Sequence, residues 1–249
     1  MRRFFVDEID AKQTSFSITG PEAKHISKVL RMGPGDRFIL MDGKGARFLA
    51  LIESAGPYEV RVILEKPLPE PPPSPVEIIL CQALLKSRKM DYSIQKTSEL
   101  GVDCIMPFSS ERTVVRLKKD RLPGRIKHWR EIAQSSAKQS DRAVPAGIEG
   151  LLPFNELVVK WKGEDALKVV LWEEEGSKDL KGLLRESSMQ KRFIGMVGPE
   201  GGFSREEVEA AKDAGFVPAS LGNRILRSET AAITVVAVVQ YEWGDLSLR

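Results

Sequence analysis

The sequence predicts an α/β fold with a small, mostly β module in front of it. Four apolar runs rich in Val and Ile, VEIILCQAL, CIMPFSS, LKVVLWEE and RFIGMVG, alternate with helical segments. Such runs read as strands buried on both faces, and strands alternating with helices make a parallel sheet covered on both sides. Upstream of them the segments are shorter and turn residues separate them. Between the two patterns lies KPLPEPPPSP, residues 66–75, with five prolines from Pro69 to Pro75. Proline donates no amide hydrogen and fixes its own φ, so this stretch reads as a stiff linker. The expected domains are residues 1–70 and 71–249.

In the first module, Phe4–Val6, Ser15–Ile18, Arg37–Met41, Ala46–Ala55 and Tyr58–Leu64 read as strands. GPGD (residues 33–36) and DGKG (residues 42–45) supply turns. Pro21 suits a first helical position, and EAKHISKVLR has apolar residues at helical spacing. Together these make a barrel-like β module with one helix. In the second domain, Ser87–Leu100 reads as a helix stopped by Gly101, and Arg121–Gln139 as another. Ser204 and Glu207 form an S-x-x-E capping box ahead of EEVEAAKDAG, which Gly215 ends. Phe216–Leu221 is a weak strand because Pro218 interrupts it. Ser228 is the natural N-cap of a last helix, whose Ala231–Tyr241 reads as buried core.

The chain has 249 residues, 42% hydrophobic and 29% charged. No apolar stretch approaches the roughly 20 residues of a membrane helix. The opening MRRFFVDEID has no apolar signal region, so the cytoplasm is expected. Cys81 and Cys104 form no CxxC pair, and His25 and His128 stand alone, so neither a metal nor a disulfide is expected. Both cysteines read as small buried hydrophobes. Net charge is only +3, but residues 112–142 carry ten bases against three acids, whereas residues 143–249 carry 13 bases against 17 acids. A local basic stretch of this kind suits either a polyanion or a solvated helix face.

Two loops carry the chemistry. GPEGGFS, residues 198–204, follows a strand and opens a capped helix, so its backbone can approach a ligand closely. It lacks the Gly-Lys-Ser/Thr of a phosphate loop and the spacing of GxGxxG, and Glu200 would repel a phosphate. A neutral or cationic ligand fits better. The second loop, SLGNRILRSETA, again enters a helix. Glu229 in the first turn suits the helix dipole, whereas Arg227 opposes it and needs a partner or a ligand.

GPEGGFSREE and LGNRILRSETA together resemble the ribosomal RNA small subunit methyltransferase E family (RsmE), within the SPOUT superfamily. QKTSELGVDCIMPFSSERTV, AKQSDRAVP, and MRRFF with HISKVLRMGPGD agree, so the resemblance spans nearly the whole chain. It implies a PUA-like RNA-binding β-barrel over 1–70 and a SPOUT α/β domain with a deep trefoil knot over 71–249. It also implies a homodimer, S-adenosylmethionine (SAM) as methyl donor, and methylation of uridine N3 in 16S rRNA of the assembled small subunit.

Carried over residue by residue, SAM is expected on Gly198, Pro199, Glu200, Gly201 and Gly202, and on Leu221, Gly222, Asn223, Ile225 and Leu226, with Arg224 in the same loop. Arg227, Arg142 and Glu229 are the expected catalytic residues: a guanidinium to stabilise the uridine anion, and a carboxylate or a water to take its proton. Arg3, Arg31, Arg112, Gln139 and Arg142 are the expected RNA contacts. Ser228 stands where threonine is common in the family. Thr230, Ser140, Lys96 and Glu99 match family positions, the last two without an assigned role. A methyltransferase acting on another RNA such as tRNA, an RNA-binding protein without catalysis, and a nucleotide-binding enzyme using GPEGG for phosphate remain the alternatives.

Overall fold

The computed structural model describes residues 1–10, 13–69 and 71–246. It divides into two compact units: Met1–Pro72 with Ala137–Pro145, and Pro73–Ser136 with Ala146–Arg249. The first unit therefore takes in a short segment that the sequence expectation counted with the second domain.

The first unit is a five-stranded sheet, built from β1 (Arg3–Phe5), β2 (Ser15–Thr19), β3 (Arg37–Met41), β4 (Arg47–Ala55) and β5 (Glu59–Pro67) in the order β1-β3-β4-β5-β2. β1 runs parallel to β3, and the other pairs are antiparallel. The DGKG turn closes because Asp42 Oδ1 accepts from the Lys44 amide at 2.8 Å and the Ala46 amide at 3.0 Å. A short helix α1 (Gly20–Lys24) continues into a wider π-helical turn, His25–Val29. Its Ile26 enters a core with Ile18, Leu40, Ile52 and the edge-to-face pair Phe4–Phe38, whose ring centroids are 4.8 Å apart. β5 runs on through Lys66 and Pro67, so the linker starts two residues later than expected; Glu70 within it lies outside the described residues. Pro67 is tolerated at the strand's last position, where few ladder bonds remain to be made.

Residues 137–145 are tied into this unit by charge. Asp141 Oδ1 accepts from Arg3 Nε and from Arg47 Nη2, each at 2.6 Å. Lys138 pairs with Glu22. Asp141 sits at φ 62°, a left-handed conformation that Asp and Asn tolerate better than other side chains.

The second unit is a parallel sheet of seven strands. In chain order its elements are β6 (Glu77–Ala83), α2 (Ser87–Glu99), β7 (Cys104–Ser109), α3 (Leu122–Ser140), β8 (Gly147–Ile148), β9 (Leu152–Pro153), α4 (Phe154–Trp161), β10 (Leu167–Leu171), α5 (Leu180–Glu186), β11 (Arg192–Val197), α6 (Arg205–Asp213), β12 (Val217–Ala219) and α7 (Ser228–Glu242). The strand order is β12-β10-β11-β6-β7-β8, with β9 also on β7. Helices cover both faces, as the apolar runs require. Met90, Ile94, Trp129, Val235 and Val239 pack on one side, and Phe154, Trp161, Val208 and Ala211 on the other. Pro218 is accommodated because β12 is an edge strand, shortened to three residues.

α7 differs from its expectation. Ala231, Val235 and Val239 recur at four-residue spacing on a buried face, while Tyr241 is 65% exposed. The helix is apolar nearly all round but buried along one side. Among the described residues, no helix is long and apolar enough to cross a membrane.

Candidate functional site

The last row of the second sheet is the floor of a cavity. Strand register aligns Ala219 with Leu171, Leu171 with Val197, and Val197 with Gln82. The first three of these line a cavity of about 530 Å³. Loops leaving β10, β11 and β12 wall it, at the carboxyl ends of parallel strands where open α/β sheets place ligands.

The loop after β11 is held tightly. A Cβ on Gly198 would stand 3.0 Å from Phe203, whose ring stacks on Phe108 at 6.2 Å. Gly202 donates to the Pro199 carbonyl at 3.0 Å and sits at φ 70°. A side chain there would also collide with the Glu173 carboxylate. Ser204 and Glu207 form the expected capping box on α6, and Glu207 Oε1 further accepts from the Glu111 amide at 2.9 Å. Arg112 Nη1 donates to the Gly201 carbonyl at 3.2 Å. The loop is braced from outside by residues 111 and 112.

The loop after β12 is looser. Gly222 sits at φ 96° with open space where a Cβ would go, and Ile225 is 86% exposed. Arg227 is exposed and makes no ion pair among the described residues. Ser228 is not the N-cap. That position is Arg227, which makes no side-chain capping bond. The Ser228 hydroxyl donates instead to the Gly198 carbonyl at 2.5 Å and accepts from Gln82 Nε2 at 3.0 Å. Ser93 donates to Gln82 Oε1 at 3.3 Å. This buried chain joins α2, β6, α7 and the end of β11, so the two loops are locked at one point.

Glu229, next in sequence, is 8% exposed, and its Oε2 is buried without a hydrogen-bond partner. Lys89 Nζ stands 3.3 Å from Glu200 Oε1 and 3.7 Å from Glu229 Oε2. The third wall is the β10 loop, with Trp172, Glu173, Glu175 and Gly176. The Ser177 hydroxyl and amide hold the Glu175 carboxyl below the usual carboxylate range. The rim is thus rich in carboxylates.

Of the expected cofactor residues, Gly198, Pro199, Glu200 and Gly202 line the cavity, as do Leu221, Gly222, Asn223, Ile225 and Leu226. Gly201 does not; its carbonyl faces Arg112. Arg224 and Arg227 line it, and Glu229 adjoins it through Ser228. Arg3, Arg31, Gln139 and Arg142 belong to the first unit, where Arg3 is engaged with Asp141 and the Lys138 carbonyl. Lys96 pairs with Glu99 at 2.7 Å, one turn apart on α2. Gln82, Lys89 and the 172–176 loop escape the sequence reading. Lys89 had a signal: like Arg227, it is a cation at a helix N-terminus. Of the cysteines, Cys81 is buried and Cys104 half-buried, and burial pushes the Cys104 thiol up to about 11.

Residues 72–240 match the family model described as an RNA methyltransferase domain, and residues 18–65 that of an RNA methyltransferase PUA domain. The chain is 30% identical to the ribosomal RNA small subunit methyltransferase E of Bacillus subtilis, covering 97% of each. It superposes with a TM-score of 0.90 and 30% identity on the Neisseria gonorrhoeae ribosomal RNA small subunit methyltransferase E bound to S-adenosyl methionine, covering 99% of this chain and 100% of that one. A Legionella pneumophila protein solved with bound SAM gives a TM-score of 0.90 at 32% identity, with 98% of each chain covered.

Proposed function

The chain belongs to the ribosomal RNA small subunit methyltransferase E family, and on that premise we propose that it methylates N3 of a uridine in 16S rRNA, using SAM, on the assembled small subunit. The observation that carries this reading is the cavity at the ends of β10, β11 and β12. Its size suits a ligand of SAM's class, since small-molecule pockets span about 300–1,000 Å³. Its donor set suits it too. Leu171, Val197, Leu221 and Leu226 offer apolar surface to an adenine. Glu173 and Glu200 offer negative charge to a ligand with cationic groups, and Gly202 and Gly222 allow close backbone approach. SAM would be held by the 198–202 and 221–226 loops, and when bound it supplies an electrophilic methyl group.

The chain's own residues then have three tasks. The first is alignment: the two loops, locked by the Ser228–Gly198 bond, keep the ligand fixed, so that an acceptor atom can be held about 3–3.5 Å from the carbon it attacks. The second is proton removal. Uridine N3 is a poor nucleophile while it carries hydrogen, and the Oε2 of Glu229, which accepts no hydrogen bond among the described residues, is assigned to take that proton. The third is charge stabilisation. The free guanidinium of Arg227 is assigned to the anion that forms on the base. Arg142, Gln139 and Arg31 are assigned to RNA contacts, and so is Arg112, whose guanidinium donates to the Gly201 carbonyl. The trefoil knot, the homodimer and the cytoplasmic location are part of the same reading, supported by membership of the family.

Calorimetric titration with SAM tests the cofactor assignment. One SAM per chain is expected, with no displacement by excess ATP, because Glu200 disfavours a phosphate. Absence of heat, or displacement by ATP, would leave the nucleotide or non-catalytic readings in its place.

A further inference from the structure

Lys89 stands in the first turn of α2, where a cation opposes the helix dipole. Its ammonium meets two carboxylates from distant parts of the sequence: Glu200 Oε1 at 3.3 Å, from the loop after β11, and Glu229 Oε2 at 3.7 Å, from the first turn of α7. The second distance exceeds a hydrogen bond. Glu229 is 8% exposed, and the same Oε2 has no hydrogen-bond partner among the described residues. Leaving a buried carboxylate oxygen without a donor costs stability, and native proteins seldom do so without a reason. If Lys89 moved less than an ångström closer it would satisfy that oxygen. Its nearer partner is Glu200 Oε1.

We propose that Lys89 is a positioning residue for Glu229: its ammonium compensates both carboxylates, joins the two ligand-binding loops, and leaves the buried Glu229 Oε2 without a hydrogen bond, so that it can accept a proton from the bound base. This rests on the assignment of Glu229 as the proton acceptor. In the step it serves, the N3–H bond of the base breaks with its electron pair left on nitrogen. The proton goes to Oε2, and later to solvent. Without Lys89, Glu200 and Glu229 face each other with no cation between them. Repulsion then turns the Glu229 carboxylate from its place while the backbone of both loops stays bonded through Ser228.

The test is a double-mutant cycle in the full-length protein, with the small ribosomal subunit as substrate. Lys89→Met keeps the aliphatic stem and removes the charge; Lys89→Arg keeps the charge. Single-turnover methyl transfer is expected to slow by at least about tenfold in Lys89→Met, with SAM affinity changed less than about threefold and the melting temperature lowered, because two carboxylates lose their cation. Lys89→Arg recovers most of the rate. Adding Glu229→Gln to Lys89→Met costs little more, because both act through one carboxylate. The proposal is overturned by a wild-type rate in Lys89→Met, by losses that add fully in the double variant, or by a loss confined to SAM affinity, which would make Lys89 a brace for the cofactor loop alone. A wild-type rate in Glu229→Gln would remove the proton-acceptor assignment, and this proposal with it. A slow Glu229→Gln with an unaffected Lys89→Met removes this proposal alone. Should Lys89→Met fail to fold, Lys89→Gln carries the same measurements.

Discussion

Arg227 caps α7 with no side-chain bond to the helix, and nothing among the described residues pairs with its charge. A cation in that place is unfavourable by a few tenths of a kcal/mol, roughly, to about 1 kcal/mol. In the proposed mechanism this guanidinium stabilises the anion that forms on the base. Arg227→Ala is therefore expected to slow methyl transfer by about a hundredfold, the usual effect of removing one charge-stabilising donor. Its melting temperature should stay the same or rise slightly. Single-turnover transfer beside a thermal melt reads both, and a folded variant with a wild-type rate would strike Arg227 from the mechanism. Ser228 teaches a different lesson. Its hydroxyl reads as an N-cap from local sequence, yet it bonds Gly198, thirty residues upstream in the chain. A local rule lost to a tertiary contact because a buried carbonyl needed a donor.

Elements were legible where their signal was local. The capping box at Ser204, the stop at Gly215 and the buried strands all stand where residue type demands them. The first and second walls of the cavity were legible for the same reason: glycines that free a backbone can be read in one dimension. The third wall was not. Trp172–Gly176 contains three consecutive glutamates, two of them closing the LKVVLWEE strand run, and its place on the cavity shows only once β10 is set between β11 and β12. Gln82 was hidden in an apolar strand and shows its role only through partners on α2 and α7. The two left-handed glycines of the cavity loops differ in a way that a measurement can check. Gly202→Ala meets both a backbone strain of about 1–2 kcal/mol and the Glu173 carboxylate, whereas Gly222→Ala meets the strain in open space. Calorimetry with SAM should therefore show a larger loss of affinity for Gly202→Ala than for Gly222→Ala. Equal losses would mean that the Glu173 contact is not part of the bound geometry.

At the scale of the whole molecule, charge and connectivity point to RNA. Ten of the 38 basic residues fall within residues 112–142. Phosphate contacts of that kind supply affinity that falls with salt but do not read a base. In the proposed function, choice of nucleotide comes from the shape of the folded RNA and from a base drawn out of its stack into the site. The central claim is methylation of one uridine in assembled small subunits. The most direct measurement supplies labelled SAM with small subunits lacking the modification, and with free 16S rRNA in parallel, then maps the label. Label on N3 of a single uridine, in the assembled subunit and not in free RNA, is the predicted result. Label at another atom, on another RNA, or none at all despite SAM binding would contradict it.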